Sequence, residues 1–342
     1  MLEGLFSPNS VAIIGASKSP GKVGSRILSN LIEGGYEGKI VPINPSSKEL
    51  MGLPCYPSLQ AYGQSVDLSV IVIPKLMVIP AVKESIAAGV KAIIVITAGF
   101  KEVNAEGAAL ERELAGICKA AGVHLLGPNC LGLLNTTNKM NASFAAKWPA
   151  SGHISFMSQS GALMSAILDH ASQHSLGICK MISMGNKADV AENQFLPALA
   201  EDPDTRVIVG YLESIMDGDA FIKAAESAAN RKPVIIFKSG VTSAGVKAAS
   251  SHTGSLAGAD MAYGAAFKRS GVIRAETFDQ MIDYAMAFAM QPLPTGRRVA
   301  IVTNAGGPGI MAADAVELAG LTMSPLTGGS RGIKDKLSLI HI

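Results

Sequence analysis

Residues 11–24 read VAIIGASKSPGKVG: an apolar run, a glycine-rich turn and the start of a helical pattern. A short apolar run bounded by turn residues is typical of a buried strand. Backbone N–H groups at such a turn, together with the N-terminus of the following helix, form a cradle for phosphate groups. The stretch therefore predicts a strand–turn–helix unit with a phosphate-binding turn, and ordinary chain reversal is the alternative interpretation.

Short β-branched runs and longer Ala-rich stretches continue to alternate after this unit. We expect strands at Val11–Ile14, Ile40–Ile43, Leu68–Ile73, Ala92–Ile96 and His124–Leu126, with helices at Val23–Glu33, Met77–Ala88 and Ala105–Ala120. This rhythm is typical of βαβ units, and strands of nearly continuous apolar residues fit a parallel sheet covered on both faces. The fold class is therefore α/β, with a first domain over residues 1–135.

The rhythm breaks over Asn135–Gly152, which we interpret as a polar loop that ends in Trp148-Pro149 and marks a domain boundary. A second series then predicts strands at Ile154–Met157, Lys180–Ser183, Arg206–Leu212 and Pro233–Lys238, and helices at Gly161–His174 and Ala220–Asn230. The second domain is therefore expected over residues 150–290.

A third unit follows the linker-like segment Gln291–Gly296 (QPLPTG). It begins with a strand over Arg298–Thr303 and a glycine turn over Asn304–Gly309, which leads into a helix that ends at Ala319. One strand and one helix cannot bury a core of their own. We therefore expect residues 297–342 to be the truncated start of a third domain, and the chain to be a fragment of something longer.

The composition excludes several classes of protein. The 342 residues include 29 basic and 27 acidic side chains, evenly spread, so nucleic acid is a poor candidate partner. The start, MLEGLFSPNSVAIIG, lacks the charged region of a signal peptide, and no uncharged apolar stretch is long enough to span a bilayer. Four cysteines without a CxxC pair indicate neither a zinc site nor a disulfide framework. We expect a soluble, cytoplasmic protein with no metal site and no membrane partner.

The first glycine turn differs from a dinucleotide fingerprint. Its spacing is not GxGxxG, and the end of the second strand carries Asn44-Pro45, with Lys48 nearby, instead of the acid that holds a ribose diol. A nucleotide with a phosphorylated ribose, such as coenzyme A or NADP, therefore fits better than NAD.

Other turns are expected at the same edge, because ligands of open parallel sheets lie beyond the carboxyl ends of the strands. The predicted CoA-binding residues on these turns are Gly15, Ser17, Lys22, Gly24, Asn44, Pro45, Pro74, Gly99 and Asn129. Cys130 could be interpreted as a nucleophile, but a small semi-buried thiol is the preferred interpretation.

The second series contains the candidate catalytic groups. His252 lies in AASSHTGSLAGAD (residues 248–260), a run without bulky side chains, and a neutral imidazole on such a loop can act as a nucleophile that travels. Glu213 ends the strand VIVGYLE and could support such an imidazole by fixing its tautomer.

The motif SQSG, residues 158–161, follows a strand and opens a helix. We predict that Ser158, Ser160 and Gly161 bind a phosphate or carboxylate at the positive helix end. A serine hydrolase is the weaker interpretation, since GxSxG is absent. His170 and His174 could form a metal pair, but a surface helical face is the default.

The ordered set of motifs resembles the α part of the NDP-forming acyl-CoA synthetases, which include the ADP-forming acetate–CoA ligases and are similar to the succinyl-CoA synthetase α subunit. The motifs that carry this resemblance run in family order over about residues 5–320: GASKSPGKVG, VPINP, TAGFKE, GPNCLG, SQSGAL, SMGN, EDPDTRVIVGYLE, KPVIIFKSG and SHTGSLAGAD. The resemblance implies a Rossmann-like CoA-binding domain, followed by flavodoxin-like ligase domains with parallel sheets.

The resemblance also implies a reaction. Phosphate attacks the thioester of an acyl-CoA, with acetyl-CoA the first candidate, and gives an acyl phosphate and free CoA. His252 accepts the phosphoryl group as phosphohistidine with the support of Glu213, and the SQSG turn binds phosphate. An ATP-grasp module, which holds ADP or ATP with Mg²⁺, then receives the group. That module is not recognisable in this sequence, so a separate β subunit or a fused domain is implied, as is an oligomer.

Two other functions remain open at this point. A non-catalytic CoA-binding or regulatory module, as in acetyltransferase-type proteins, would account for the first domain, although the SHTG motif argues against it. An NADP-dependent oxidoreductase would also use a glycine-rich turn beside a neutral to basic ribose site.

Overall fold

The computed structural model describes residues 2–174, 176–242 and 260–325. Contacts divide the chain into two compact units, Met1–Met290 and Gln291–Ile342. The prediction of three domains stays a prediction, and each of the two units is described by itself.

A five-stranded, fully parallel sheet forms the first half of the larger unit, and its strands follow the order β2-β1-β5-β6-β7. The strands in this half are β1 (Ser10–Ile14), β2 (Lys39–Ile43), β3 (Glu49–Leu50), β4 (Leu53–Pro54), β5 (Leu68–Ile71), β6 (Ala92–Val95) and β7 (His124–Leu126). Its α-helices are α1 (Glu3–Phe6), α2 (Val23–Glu33), α3 (Leu59–Tyr62), α4 (Val78–Ala87) and α5 (Ala105–Ala120). Strands β3 and β4 form a separate antiparallel pair.

A seven-stranded sheet forms the second half of the same unit. Its strands are β8 (Gly132–Asn135), β9 (Met140–Ser143), β10 (Ser151–Ser158), β11 (Ile178–Ser183), β12 (Val207–Leu212), β13 (Val234–Lys238) and β14 (Ile273–Ala275), in the order β14-β13-β12-β10-β11-β8-β9. The helices are α6 (Gly161–His174), α7 (Glu192–Glu201), α8 (Gly218–Ala229), α9 (Asp260–Ser270) and α10 (Phe278–Met290). Five strands are parallel, and β8 and β9 add an antiparallel edge.

The smaller unit holds strand β15 (Arg298–Val299), helix α11 (Gly306–Leu318) and strand β16 (Thr322–Met323). The two short strands pair in parallel. The prediction of a strand over Arg298–Thr303 was correct at its start but too long, because only two of its residues find a partner strand.

The α/β class with parallel sheets is confirmed, but the sequence interpretation missed strands β3, β4, β8, β9 and β14. The segment Asn135–Gly152, interpreted as a polar loop, contains β9, which pairs with β8. Asn141 and Ser143 hid this strand because they are polar, yet both are buried and their side chains hydrogen-bond to each other. Strand β14 was also missed, since three residues give too short a pattern to detect.

One apolar core joins the two sheets. It includes residues from both, such as Ile13 on β1 and Ile182 on β11. The rings of Phe6 and Phe195 meet within it at 6.1 Å between centroids. The Asn30 side chain of α2 adds hydrogen bonds to the carbonyls that flank the end of β9. The two sheets therefore share buried surface and belong to one compact unit.

Each sheet has a point at which the strand order reverses, and ligands of open α/β sheets bind beyond the strand ends at such a point. In the first sheet β1 lies between β2 and β5, so the turn after Ile14 leaves the reversal point. In the second sheet β10 lies between β12 and β11, so the turn after Ser158 does the same. Both predicted anion-binding turns therefore occupy the position that the topology favours.

In the part of the chain that the structure describes, no helix is long and apolar enough to cross a bilayer. Over the same residues, no group of three or more His, Cys, Asp or Glu side chains is placed to hold a metal ion.

Replacing Gly24 by alanine tests the contact between the first turn and its helix. A Cβ at Gly24 would lie 2.1 Å from the Gly15 carbonyl oxygen, so we expect a loss of about 1–3 kcal/mol in the free energy of unfolding, measured by urea titration. Gly116→Ala is the matched control: it also lies in a helix, but a Cβ there meets nothing within 4 Å. This control should stabilise the protein by up to about 1 kcal/mol. Equal effects of the two substitutions would contradict the packing argument.

Candidate functional site

The first turn is built by two glycines that no larger residue can replace without movement. Gly15 has φ +96°, and a Cβ on it would lie 2.4 Å from the carbonyl oxygen of Val72. Gly24, in the first turn of α2, lies directly against the Gly15 carbonyl. The helix N-terminus is thereby drawn onto the strand end, which is the geometry that directs helix N–H groups at an anion.

Polar side chains fix the shape of this turn from two directions. Asn44 donates its amide to the Ala16 carbonyl at 2.7 Å and accepts the Ser46 N–H at 2.8 Å. Ser17 accepts the Ser19 N–H at 3.1 Å. Asn44 therefore ties the end of β2 to the glycine turn, while Pro45 and Lys22, also predicted to bind CoA, are exposed beside it.

A continuous chain of contacts extends the same edge across β5, β6 and β7. The Thr97 hydroxyl donates to the Ile73 carbonyl at 2.7 Å, and the Asn129 N–H donates to the Thr97 carbonyl at 3.0 Å. Pro74 follows Ile73 and is exposed, and Gly99 adopts φ +108°. The structure thus brings the predicted CoA-binding residues to the carboxyl edge of one sheet; their contact with CoA stays a prediction.

The SQSG turn at the end of β10 is shaped by its own hydroxyls. The buried Ser158 hydroxyl accepts the Ser160 N–H at 3.0 Å and donates to the Ser160 carbonyl at 2.9 Å. Ser160 in turn caps helix α6 by accepting the Leu163 N–H at 3.2 Å. Ser158 therefore shapes the turn, and the first N–H groups of α6, starting at Gly161, have no partner within the helix. Phosphate binding by Ser158, Ser160 and Gly161 stays a prediction.

Glu213, directly after β12, is buried and its backbone is clamped from two sides. Its N–H donates to the Gln159 side-chain carbonyl at 2.6 Å, and the same oxygen accepts the Ser214 N–H at 3.0 Å. On the other side the Lys238 ammonium donates to the Glu213 carbonyl at 2.8 Å. The structure therefore brings Glu213 next to the SQSG turn, because Gln159 is the second residue of that motif.

Two buried lysines give this region its charge. Lys187 is 8% exposed and Lys238 is 3% exposed. Lys187 forms an ion pair with Glu192 at 2.9 Å and also donates to the Ser214 carbonyl at 2.6 Å. Burial lowers the pKa of Lys187, and the Glu192 charge opposes this effect. Each side of Glu213 thus carries a buried lysine: Lys187 is paired with Glu192, and Lys238 faces the charges of Asp260 and Glu213.

Lys238 is the more strongly perturbed of the two. Burial lowers its pKa to about 8, against the opposing charges of Asp260 and Glu213. Its ammonium also lies 4.4 Å from the centroid of the Tyr263 ring, a cation–π contact. Burial likewise raises the pKa of the neighbouring Tyr211, and the Glu213 charge adds to that effect.

The remaining candidate residues from the sequence are Cys130, the pair His170 and His174, and His252. Cys130 is buried, its thiol donates to the Val95 carbonyl at 3.4 Å, and burial raises its pKa to about 12, which agrees with the preferred interpretation of a small buried thiol. His170 and His174 stack on one face of α6 at 4.1 Å between ring centroids. His252 lies outside the described residues, so its placement relative to Glu213 stays a prediction.

Sequence reasoning missed three residues that shape the site: Gln159, Lys187 and Lys238. Gln159 was inside a quoted motif but lacked an assigned role. Lys238 offered one signal, a lysine at the end of the apolar run VIIF. Lys187 offered none, because its burial arises from packing between elements far apart in the chain.

Comparisons with known proteins assign both halves of the larger unit. Residues 9–136 match the family model described as a CoA binding domain, and residues 151–288 match the model described as a succinyl-CoA ligase like flavodoxin domain. The Archaeoglobus fulgidus acetate–CoA ligase [ADP-forming] I is 46% identical over 94% of this chain and 47% of its own length. The Pyrococcus furiosus acetate–CoA ligase [ADP-forming] II subunit alpha is 43% identical over 95% of this chain and 71% of its own length.

A solved structure agrees with these sequence matches. The dinucleotide forming acetyl-coenzyme A synthetase 1 of Ca. Korarchaeum cryptofilum, in complex with phosphate and ADP, has a TM-score of 0.90 and 41% identity, covering 96% of this chain and 70% of its own. A CoA binding domain followed by a succinyl-CoA ligase like flavodoxin domain is the arrangement that the two family models give for this chain.

The chain belongs to the NDP-forming acyl-CoA synthetase family. The resemblance inferred from the motifs is therefore confirmed, and the relatives do not favour the regulatory-module interpretation. The chain spans about half the length of the first curated relatives that it matches.

The burial of Lys238 should make the free energy of unfolding depend on pH. Because its folded pKa is about 8 and its ordinary value is 10.5, the unfolded chain binds more protons between these values. Lys238 should therefore make the free energy of unfolding increase with pH above 8, by at most about 1.4 kcal/mol per pH unit. Because the buried Cys130 thiol, whose folded pKa is raised, acts in the opposite direction, the test is a comparison: urea titrations at pH 7.5, 8.5 and 9.5 should give the parent a more positive slope than Lys238→Met. The exposed Lys223→Met is the control, and the same loss of slope in it would contradict the assignment.

Proposed function

We propose that this chain performs the CoA and phosphohistidine half-reactions of an acid–thiol ligase, in which acyl-CoA, ADP and phosphate are interconverted with a carboxylic acid, CoA and ATP. The observation that carries the proposal is Glu213, buried at a strand end between the SQSG turn and Lys238, in a chain of this family. A carboxylate held in place by its backbone suits a partner that must orient an incoming imidazole.

The first proposed step takes place between the two turns. A phosphate oxygen attacks the thioester carbonyl, the C–S bond breaks, and acyl phosphate and the CoA thiol are formed. The N-terminus of α6 at Gly161 and the cations Lys187 and Lys238 supply positive charge for the phosphate.

The second proposed step loads the histidine. A nitrogen of the His252 imidazole attacks phosphorus, the bond to the acyl oxygen breaks, and the carboxylate leaves. The ring attacks in its neutral form: Glu213 would accept a hydrogen bond from the N–H of the other ring nitrogen, which keeps the attacking nitrogen unprotonated and stabilises the positive charge that develops as the N–P bond forms. The small residues around His252, with Gly254 and Gly258, fit a segment that presents the histidine at more than one place.

Coenzyme A is proposed to bind along the carboxyl edge of the first sheet. The glycine turn at Gly15 and Gly24, with Ser17 and Lys22, would hold its phosphates, and Asn44 and Pro45 its nucleotide end. Pro74, Gly99 and Asn129 continue the same edge toward the second sheet, through Thr97 and the Asn186 side chain. The acyl end would therefore lie on the side of the site nearest the phosphate.

The nucleotide is proposed to bind elsewhere. The Pyrococcus furiosus relative is named a subunit alpha, whereas other relatives are longer single chains. We propose that an ATP-grasp part, as a β subunit or a fused domain, holds ADP or ATP with Mg²⁺ and receives the phosphoryl group.

Relatives named acetate–CoA ligases make acetyl the first acyl group to test. We further propose a cytoplasmic, oligomeric assembly.

Phosphohistidine formation tests the chemistry. With acetyl-CoA and labelled phosphate, the chain should acquire acid-labile, base-stable label, because phosphoramidate bonds hydrolyse in acid. His252→Ala should abolish the label, and Glu213→Gln, which keeps the size but removes the charge, should slow labelling by about tenfold or more. His174→Ala, on the exposed end of α6, is the control and should label normally. A His252→Ala protein that labels like the parent would falsify the proposal.

A charge placed at the first turn tests the CoA site. Ser17→Asp and Ser17→Asn both keep an oxygen that accepts the Ser19 N–H, but only aspartate adds a negative charge. Since two unit charges at 4 Å interact by about 1 kcal/mol even in water, Ser17→Asp should weaken CoA binding at least about fivefold relative to Ser17→Asn. Isothermal calorimetry measures the two dissociation constants, and equal values would place the phosphates elsewhere. A charge at Gly24 would be less informative, because any side chain there displaces the Gly15 carbonyl.

A further inference from the structure

The turn Gly185–Lys187, which follows β11, contacts both halves of the site. A Cβ on Gly185 would lie 2.3 Å from the Pro128 carbonyl oxygen, and the Asn186 N–H donates to that same oxygen at 2.9 Å. The turn therefore lies directly against the Gly127–Asn129 turn of the first sheet. We call residues 185–187 the bridging turn.

On the CoA side the bridging turn is held by two carboxylates. The Asn186 amide nitrogen donates to Glu102 at 2.6 Å and to Glu111 at 2.7 Å. The other oxygen of Glu102 accepts the Gly99 N–H at 2.5 Å and the Phe100 N–H at 3.2 Å. Although burial opposes the shift, these hydrogen bonds lower the pKa of Glu102, so the carboxylate is ionised at neutral pH.

Two predicted CoA-binding residues therefore contact this network directly. Gly99 shares the Glu102 carboxylate with Asn186, and the Asn129 amide donates to the Asn186 side-chain oxygen at 3.2 Å. A ligand that shifts the Gly99 or Asn129 turn therefore also acts on the Asn186 side chain, because the hydrogen-bonding groups of Asn186 are engaged with both turns.

On the phosphate side the bridging turn continues into Lys187. This residue has φ +55°, an uncommon value for a lysine, and its ammonium spans the gap to the Ser214 carbonyl at 2.6 Å while paired with Glu192. Ser214 follows Glu213 directly, and one Gln159 oxygen accepts the N–H groups of both. The backbone that carries Glu213 is thus held by the residue next to Asn186.

We propose that Asn186 and Lys187 are positioning residues that couple CoA binding at the first sheet to the phosphate site at Glu213. This inference rests on the proposed function, since it needs both ligands. The contacts from Gly99 and Asn129 through Asn186 and Lys187 to the Ser214 carbonyl form one continuous chain, so a shift of the first two turns when CoA binds is passed to the backbone beside Glu213. A shift that brings this backbone closer to its phosphate-bound arrangement gives positive cooperativity.

The experiment measures this coupling as a ratio of dissociation constants. Calorimetry gives the Kd of inorganic phosphate with and without saturating CoA, and the Kd of CoA with and without saturating phosphate. Linkage requires the two ratios to be equal. In the parent chain we expect each ligand to tighten the other at least about fivefold.

Asn186→Ala and Lys187→Met should each weaken the coupling, so that the Kd of phosphate with saturating CoA differs from the Kd without CoA by no more than about twofold. Each variant should still bind CoA and phosphate when tested separately, so that a ratio can be measured, a result that general unfolding would not produce. Glu102→Gln, at a half-buried position, provides a milder variant if the others fold poorly, and it should lower the ratio as well.

Lys180→Met is the matched control. Lys180 is a second buried lysine of the same sheet, paired with Asp202 at 2.7 Å, but it lies near the start of β11 instead of at its end. It should lose stability like Lys187→Met yet keep the parent ratio. A ratio of one in the parent, or an unchanged ratio in Asn186→Ala and Lys187→Met, would overturn the inference. Absence of CoA binding in the parent would instead overturn the proposed function.

Discussion

The close backbone contact between two turns, one from each sheet, is the constraint on which the site depends. Gly185 can approach the Pro128 carbonyl only because it has no side chain, and its φ of +55° directs the following residues across the gap. The Ala188 N–H donates to the Gly127 carbonyl at 3.0 Å and extends the contact. Since each turn leaves the carboxyl end of its own sheet, this contact sets the relative position of the two ligand edges.

The polar groups around this contact are costly and fully engaged. Burying Lys187 and Glu192 removes two charges from water, a penalty that their mutual attraction offsets only when further hydrogen bonds complete the geometry. Lys187 meets this condition through the Ser214 carbonyl. Replacing both Lys187 and Glu192 by apolar residues of similar volume would leave the free energy of unfolding unchanged or increase it. The placement of these charges beside Glu213 is therefore better explained by what the site binds than by what the fold requires.

Local signals explain which elements the sequence predicts well. Helices α2, α5 and α6 begin and end where expected, since Asn104 and Ser160 accept helix N–H groups at the starts of α5 and α6 and the apolar spacing is regular. The strand ends of both sheets, and hence the edge that holds Gly15 and Glu213, follow from the βαβ rhythm. Strand β9 escapes prediction because its polar residues are buried by pairing with β8, which no local pattern encodes.

The contacts of the bridging turn could not be predicted from the sequence either. Its motif was visible as SMGN, but nothing in four residues reveals that Asn186 meets two carboxylates more than seventy positions earlier in the chain.

The proposed chemistry needs a carboxylate that stays fixed and a nucleophile that travels. In the sequence, the carboxylate follows β12 and the histidine segment follows β13. An orienting carboxylate is effective only if it does not move, and Glu213 is held by Gln159 on one side and Lys238 on the other. A travelling nucleophile is effective only if its segment can adopt several positions, and the stretch around His252 consists of small residues and glycines. Lys238 ends β13, the strand that precedes the histidine segment in the chain. Lys238 therefore holds the backbone of the fixed partner and ends the strand from which the histidine segment follows in the chain.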